Sequence, residues 1–360
     1  MDKYIDYYND SKKVTYHEQT DISNILKLRA VLKTLPDFCK DYFRAMDPLT
    51  TTKTRISYAY DIRIFFQFLL DENPAFKDYS MKDFTVDVLD QLKAIDIEEY
   101  QEYLKVYKNG DKTETNGERG LKRKISALRS FYAYYYKHEF IQTNPTVLVD
   151  VPKTHEKNII RLDADEVAML LDHIEHCGDE LTGQKRVYYE KTKERDLAIV
   201  TLLLGTGIRV SECVGLDVED VDFKNNGIKV TRKGGNEMVV YFGQEVEKAL
   251  KKYLEVRKNI VPVAGHEHAL FYSTQRKRIG IQAVENLVKK YAGAITTTKK
   301  ITPHKLRSTY GTTLYQETGD IYLVADVLGH RDVNTTKKHY AAMDDARRRK
   351  AATAVHLRED

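Results

Sequence analysis

Apolar residues recur along this chain at helical spacing over most of its length and alternate only in one short region. Over residues 55 to 70, Ile56, Tyr60, Ile64, Phe65, Phe68 and Leu69 fall on one stripe, preceded by a run of cap-forming threonines at 51 to 54 and ended by Asn73-Pro74. Residues 121 to 140 repeat the pattern with Leu121, Ile125, Leu128, Phe131, Tyr132 and Tyr135. Shorter helical segments are predicted at 22 to 35, 38 to 46, 85 to 94 and 96 to 107. Residues 1 to about 20 are polar and expected to extend or fray, and 109 to 120 reads as a polar, glycine-bearing loop. These segments predict an N-terminal extension with an accessory helix (1–35) followed by an all-helical domain (36–142).

The pattern changes after Asn144-Pro145. Residues 143 to 158 read as an extended linker with a basic end, and 159 to 360 as a second domain. Asp163 and Glu166 can begin its first helix as a capping-box-like pair. A polar insertion at 178 to 191 reads as a loop, and 194 to 204 is a strongly apolar helix stopped by Gly205-Thr206-Gly207. Residues 227 to 232 and 238 to 242 alternate and are rich in β-branched and aromatic side chains. They predict a β-hairpin with Lys233 at its tip, and 270 to 272 is a possible third strand. Further helices are expected at 245 to 257, 281 to 291, and after Thr302. There Pro303 suits a first helical position and Thr302 its N-cap. Gly319 ends that helix, Gly329 ends the next, and Asn334 caps a third that carries Tyr340. A basic helical tail follows. The fold class expected is mainly α with a small antiparallel sheet, in two domains.

Composition narrows the setting without naming a function. The net charge is only +4, yet 31% of the 360 residues are charged, so clustering of Lys and Arg matters more than the balance. Three cysteines, odd in number and without metal-ligand spacing, suit a reducing compartment. No apolar run approaches a membrane span and the N-terminus has no apolar signal core, so a soluble cytoplasmic protein is expected. With 25 tyrosines in the chain, a single tyrosine carries little information alone.

The chemistry gathers at residues 302 to 340. His304 and Arg307 stand three apart in a first helical turn, where free N–H groups and the macrodipole welcome an anion. His330 follows a glycine turn and Tyr340 closes the stretch. Breaking a phosphodiester without a metal needs fixed positive charge at the non-bridging oxygens, an in-line nucleophile and an acid for the leaving 5′ oxygen. Arg209, after the Gly205-Thr206-Gly207 turn, and Arg307 can clamp phosphate with planar forks that never lose charge. Histidine can shuttle a proton near neutral pH, Lys233 can serve as the acid, and a phenol is both nucleophile and reversible leaving group.

In this order GTGIRVSE (205–212), RKGG (232–235), HKLR (304–307), LGH (328–330) and NTTKKHY (334–340) resemble the tyrosine recombinases, in the group of phage-type integrases and Xer-like enzymes. The helical half, with TRISYAYDIRIFFQFLL (54–70), resembles the family's core-binding domain, and NPTVLVDVPK (144–153) its linker. The resemblance covers roughly residues 36 to 345. It implies a two-domain clamp around duplex DNA. Arg209, His304 and Arg307 would bind the scissile phosphate, Lys233 would be general acid, His330 a hydrogen-bonding partner of the phosphate, and Tyr340 the covalent nucleophile. Glu212 matches a supporting acidic position. Tyr340 follows His330 by ten residues, one more than the family spacing, with His339 at the ninth. The implied reaction is conservative site-specific recombination through a 3′-phosphotyrosyl bond, with no cofactor and no metal. Four protomers would assemble on two DNA duplexes, passing the segment after Tyr340 to a neighbour. Too little chain precedes residue 36 for a full arm-type DNA-binding domain, so a simple system is expected.

Other readings stand beside this one. A type IB topoisomerase-like enzyme would use the same chemistry to relax DNA, and a non-catalytic DNA-binding regulator could keep the fold. Asp217, Glu219, Asp220 and Asp222 form an acidic cluster that a magnesium-dependent nuclease could use, and His266-Glu267-His268 has zinc-ligand types without further spacing. Basic residues at Arg55, Arg119, Lys122, Arg123, Lys124 and Arg129, interleaved with aromatics, are candidates for DNA contact or simply a solvated helix face.

Overall fold

Thr15 and Glu18 cap the first helix reciprocally: the Glu18 N–H donates to Thr15 Oγ1 at 3.3 Å, and the Thr15 N–H donates to the Glu18 carboxylate at 2.7 Å. This box starts helix α1 (Tyr16–Leu32) well before residue 22, where a frayed segment was expected, because it satisfies end groups that would otherwise need water. A computed structural model describes residues 15–155, 160–232, 235–330, 332–334 and 336. The chain divides into two compact units, Met1–Lys157 and Asn158–Asp360.

In the first unit α2 (Cys39–Ala45), α3 (Thr52–Glu72), α4 (Val88–Gln91) and α5 (Ala94–Tyr103) are followed by a hairpin and α6 (Glu118–Lys137). Thr51 caps α3 by accepting the Thr54 N–H. The apolar arc of α3 is wider than one stripe. Ile62 and Phe66 are fully buried while Tyr60 and Ile64 are half-buried, because α1 and α6 both pack on this helix. Leu28, Val31 and Leu35 enter the same core. Its centre is aromatic, with Phe65 edge-on to Tyr100 at 5.1 Å and Phe131 to Tyr135 at 4.9 Å. The buried phenols find acceptors: Tyr42 donates to Ser130 Oγ and Tyr135 to the Phe38 carbonyl, each at 2.8 Å.

Two expectations need correcting here. Residues 106 to 115 are not a helix end running into a loop. They form strands β1 (Val106–Asn109) and β2 (Lys112–Thr115), with Asn109 opposite Lys112 and Gly110 turning at φ +62°. A positive φ suits glycine in so short a turn. Nor is the stretch after residue 143 extended throughout where it is described, since Pro145–Val147 form a 3-10 turn. Arg129 donates to the carbonyls of Thr146 (3.1 Å) and Val149, Gln101 to the Asp150 carbonyl at 2.9 Å, and Val149 is buried.

The second unit is built around α8 (Gly183–Thr206), which packs on α7 (Ala164–His176), α10 (Gln244–Arg257) and α12 (Pro303–Thr318). Every residue from 196 to 203 is buried, as a helix apolar on all sides requires. The segment expected as a loop is a 3-10 turn, Cys177–Glu180, and then the first turns of this helix. Tyr189 fastens them, donating to the Ile174 carbonyl at 3.0 Å with its ring laid on Gly178. Between α8 and α10 lie α9 (Val210–Gly215) and the antiparallel sheet β3 (Val221–Asp222), β4 (Gly227–Thr231), β5 (Glu237–Tyr241). The third strand is thus Val221–Asp222. Residues 269 to 278 contribute only the isolated bridges Asp217 to Ala269 and Tyr272 to Arg278. Helix α11 (Ile281–Ile295) precedes α12, and α13 (Ile321–Leu328) follows it. Among the described residues no helix is long and apolar enough to cross a membrane.

Candidate active site

The glycine turn after α8 sets the first arginine. Gly207 stands at φ +63°, and a Cβ there would collide with Tyr310 Cδ1 and lie 3.0 Å from Leu328 Cδ2. Only glycine meets both demands. The chain then leaves α8 with Ile208 buried and Arg209 at the N-cap of α9. Glu212, 4% exposed, holds Arg209 twice: Oε2 accepts the Arg209 N–H at 2.8 Å and Oε1 accepts Nη1 at 2.7 Å. That geometry gives Glu212 an orienting role.

The second arginine arrives on α12. Pro303 occupies its first turn, as expected, but the Thr302 side chain makes no capping hydrogen bond and serves only through its extended backbone. His304 is exposed and Arg307 is 4% exposed. Arg307 Nη1 donates to the Gly207 carbonyl at 2.6 Å and Nη2 donates to the Leu328 carbonyl. Two sequence-distant motifs therefore share one seat.

That seat is the C-terminal end of α13. Asp320 caps the start of this helix through the Tyr322 and Leu323 N–H groups, and Gly329 (φ +61°) ends it. Three guanidinium groups then take three consecutive carbonyls: Arg232 Nη2 donates to Val327 at 2.6 Å, Arg307 to Leu328, and Arg209 Nη2 to Gly329 at 3.4 Å. The unsatisfied carbonyls and negative dipole of a helix end favour cations there. Three fixed positive charges around one peptide turn, with Glu212 as the buried carboxylate among them, make a strongly anion-seeking pocket. Burial draws the Arg232 pKa down, with Arg209 adding to that effect and Glu212 opposing it. His330, half-buried beyond Gly329, has Nδ1 2.8 Å from the hydroxyl of fully buried Thr336.

Arg209, Glu212, Arg307 and His330 are thus gathered at one place, and His304 lies on the first turn of the helix that brings Arg307. Lys233 and Tyr340 lie outside the described residues, as does the basic tail. Asn334 is not a cap as expected. It is already helical, and its N–H donates to Asp332 Oδ1 at 2.8 Å, so the short Asp332 side chain takes the capping role. Sequence reasoning missed Thr336 and Arg232. Both lie inside quoted motifs, but nothing in their spacing marks a threonine that orients a histidine or an arginine that seats on a glycine.

The basic residues of the first unit divide. Lys124 is 5% exposed, and its ammonium lies 3.2 Å from Asp61, whose buried carboxylate also takes the Arg123 fork, with Nη2 to Oδ1 at 2.9 Å. Arg129 clamps the Thr146 and Val149 carbonyls, and Arg55 pairs with Asp47 with its side chain 12% exposed. Lys124, Arg129 and Arg55 thus each hold a partner outside their own helices, within the first unit. Arg119, Lys122 and Arg123 are exposed.

The acidic cluster is engaged in the same way. Asp217 pairs with Arg278 and Glu219 with His268, Asp220 accepts the Asp217 N–H at 2.8 Å, and Asp222 accepts the Lys224 N–H at 2.9 Å. Glu267 accepts the Gly265 N–H at 3.0 Å. Among the described residues no three His, Cys, Asp or Glu side chains converge as metal ligands would.

Comparison with known proteins identifies the family of the chain. The phage integrase family matches residues 160–347. The chain is 33% identical over 315 residues to a tyrosine recombinase XerC of Caldanaerobacter subterraneus subsp. tengcongensis, spanning 84% of this chain and 82% of that protein. It is 31% identical over 338 residues to a tyrosine recombinase XerS of Lactococcus lactis subsp. cremoris, spanning 88% and 93%. Among solved structures, the XerH site-specific recombinase bound to its difH substrate before cleavage superposes with a TM-score of 0.60 at 20% identity, covering 84% of this chain and 79% of that one. A lambda integrase dimer bound to a COC′ core site gives 0.59 at 18% identity, covering 84% and 94%.

Proposed function

The chain belongs to the phage integrase family, the tyrosine-type site-specific recombinases, and we propose that it cuts and rejoins duplex DNA by attack of Tyr340 on a phosphate held by Arg209, His304 and Arg307. The observation that carries this reading is the convergence of Arg209 and Arg307 on adjacent carbonyls of one helix end, from motifs nearly a hundred residues apart. Two guanidinium groups fixed side by side in this way would offset the charge that gathers on a phosphate's oxygens in the transition state. The Tyr340 oxygen forms a bond to phosphorus while the bond to the 5′ oxygen breaks. The phenol proton passes to a histidine of the site and Lys233 supplies a proton to the leaving oxygen. In the second step a 5′ hydroxyl of the partner strand attacks, the phosphotyrosyl bond breaks, and Tyr340 regains its proton. His330, oriented by Thr336, donates to a non-bridging oxygen.

The DNA complexes of XerH and lambda integrase support duplex DNA as the substrate. Exchange between two duplexes calls for four protomers, with the segment after Tyr340 passed to a neighbour, acting on DNA in the cytoplasm. The direct experiment incubates the full chain with a pool of nicked duplexes of randomised core sequence and sequences the DNA that survives denaturation on the protein. Adducts should converge on one site and vanish in Tyr340→Phe. A Tyr340→Phe protein that still traps DNA overturns the assignment. Relaxation of supercoils without site preference points instead to a topoisomerase, and binding without adducts to a regulator.

A further inference from the structure

Arg232 takes no part in the chemical steps above, yet its placement is unusual. It follows β4 and immediately precedes Lys233. Its own backbone closes the root of the hairpin loop, with the Arg232 N–H donating to the Asn236 carbonyl at 2.7 Å and its carbonyl accepting the Gly235 N–H at 3.0 Å. The side chain reaches across to α13. Nη2 donates to the Val327 carbonyl, and the guanidinium lies flat against Gly329, where a Cβ would collide with both Nη1 and Cζ. Only a glycine allows an arginine this close. Gly329 in turn is the residue before His330.

The remaining donors do not settle. Nε and Nη1 of Arg232 are both buried and have no hydrogen-bond partner among the described residues. Buried donors left unpaired oppose folding, and an apolar side chain of similar length would remove that penalty. Stability alone therefore does not account for arginine here.

We propose that Arg232 is a positioning residue, tying the root of the lysine-bearing hairpin to the Gly329–His330 turn so that Lys233 meets the leaving oxygen of the phosphate gripped at the same helix end. A flat, charged group on a glycine fixes distance and angle between two elements, where a flexible hairpin tip would leave a general acid a range of positions. This rests on the reading of Lys233 as the acid and deepens it.

The test compares single-turnover covalent adduct formation on two nicked duplexes carrying the selected site, one ordinary and one with sulfur in place of the 5′ bridging oxygen. A thiolate leaves without a proton, so loss of acid catalysis is repaired by sulfur. Arg232→Met should melt at or above the temperature of the unaltered protein, react at least about tenfold more slowly with the oxygen substrate, a part of the roughly 10²–10⁴ that general acid catalysis supplies, and recover with sulfur. Arg232→Lys, which keeps charge but not the fork, should fall between and is read by the same oxygen-to-sulfur ratio if the methionine variant does not fold. Unchanged oxygen-substrate rates, or an equal loss on both substrates, overturn the proposal. A Lys233→Ala protein not rescued by sulfur overturns the acid assignment itself, a result distinct from either.

Discussion

Arg307 Nη1 donates to the Gly207 carbonyl at 2.6 Å, joining the second glycine of one motif to the arginine of another across a hundred residues. The contact works only because Gly207 has its positive φ and no Cβ, so that the turn packs under Tyr310 and Leu328. The seat of Arg307 thus depends on a residue that contributes no side chain to it.

Gly207→Ala should lower stability by about 1–3 kcal/mol, from a strained backbone and a Cβ driven into a ring. Adduct formation should fall further than stability, because the turn that carries Arg209 and the carbonyl that seats Arg307 move together. Urea unfolding and single-turnover cleavage of the same preparation decide this. A loss of stability with normal cleavage would count against it.

Arg307→Lys keeps the charge but not the two-armed grip on Gly207 and Leu328. A lysine is a point charge and does not substitute at a bidentate site. The expected result is a fall in cleavage rate of about 10²-fold or more, the scale of losing one transition-state donor, with DNA binding kept to within a few-fold.

The basic residues of the first unit should separate into two classes. Asp61→Ala leaves Lys124 buried without its carboxylate and should destabilise by about 3–5 kcal/mol. Arg119→Ala and Lys122→Ala, both exposed, should change stability by no more than about 0.5 kcal/mol. If either exposed residue meets a phosphate, its loss reduces the salt dependence of DNA binding by about 0.9 per contact removed. Thermal melts and binding titrations across salt concentrations report the two effects independently.

Cleavage should survive a chelator. Glu219→Gln, which removes half of an exposed pair with His268, should leave the cleavage rate within about twofold, a surface change of this kind being near neutral. Abolition of cleavage by a chelator would transfer the chemistry to the acidic cluster.

The identities and order of Arg209, Glu212, His304, Arg307 and His330 are legible in the sequence alone, because glycine turns, a proline-led first turn and motif spacing are local properties of the chain. So are the period of the main helices and the β4–β5 hairpin. Partnership is not. Arg123, Lys124 and Arg129 look alike on a helix face, and what separates them from Lys122 is Asp61 and the carbonyls at 146 and 149, brought together only by packing. The β1–β2 hairpin and the early start of α8 are hidden for a related reason: polar, half-exposed segments carry little periodicity, and tertiary contacts such as Tyr189 on Gly178 decide their form.

The motifs between residues 205 and 340 therefore determined by themselves which residue types the proposed phosphate site would use, two arginines, two histidines and a tyrosine, since charge, fork geometry and proton affinity belong to residue types. Tertiary structure decided that three arginines, 209, 232 and 307, share the carbonyl end of one short helix, and that Arg232 rests on Gly329. Like charges meet there because the helix end and the buried Glu212 carboxylate compensate them, and that balance exists only once the chain has folded.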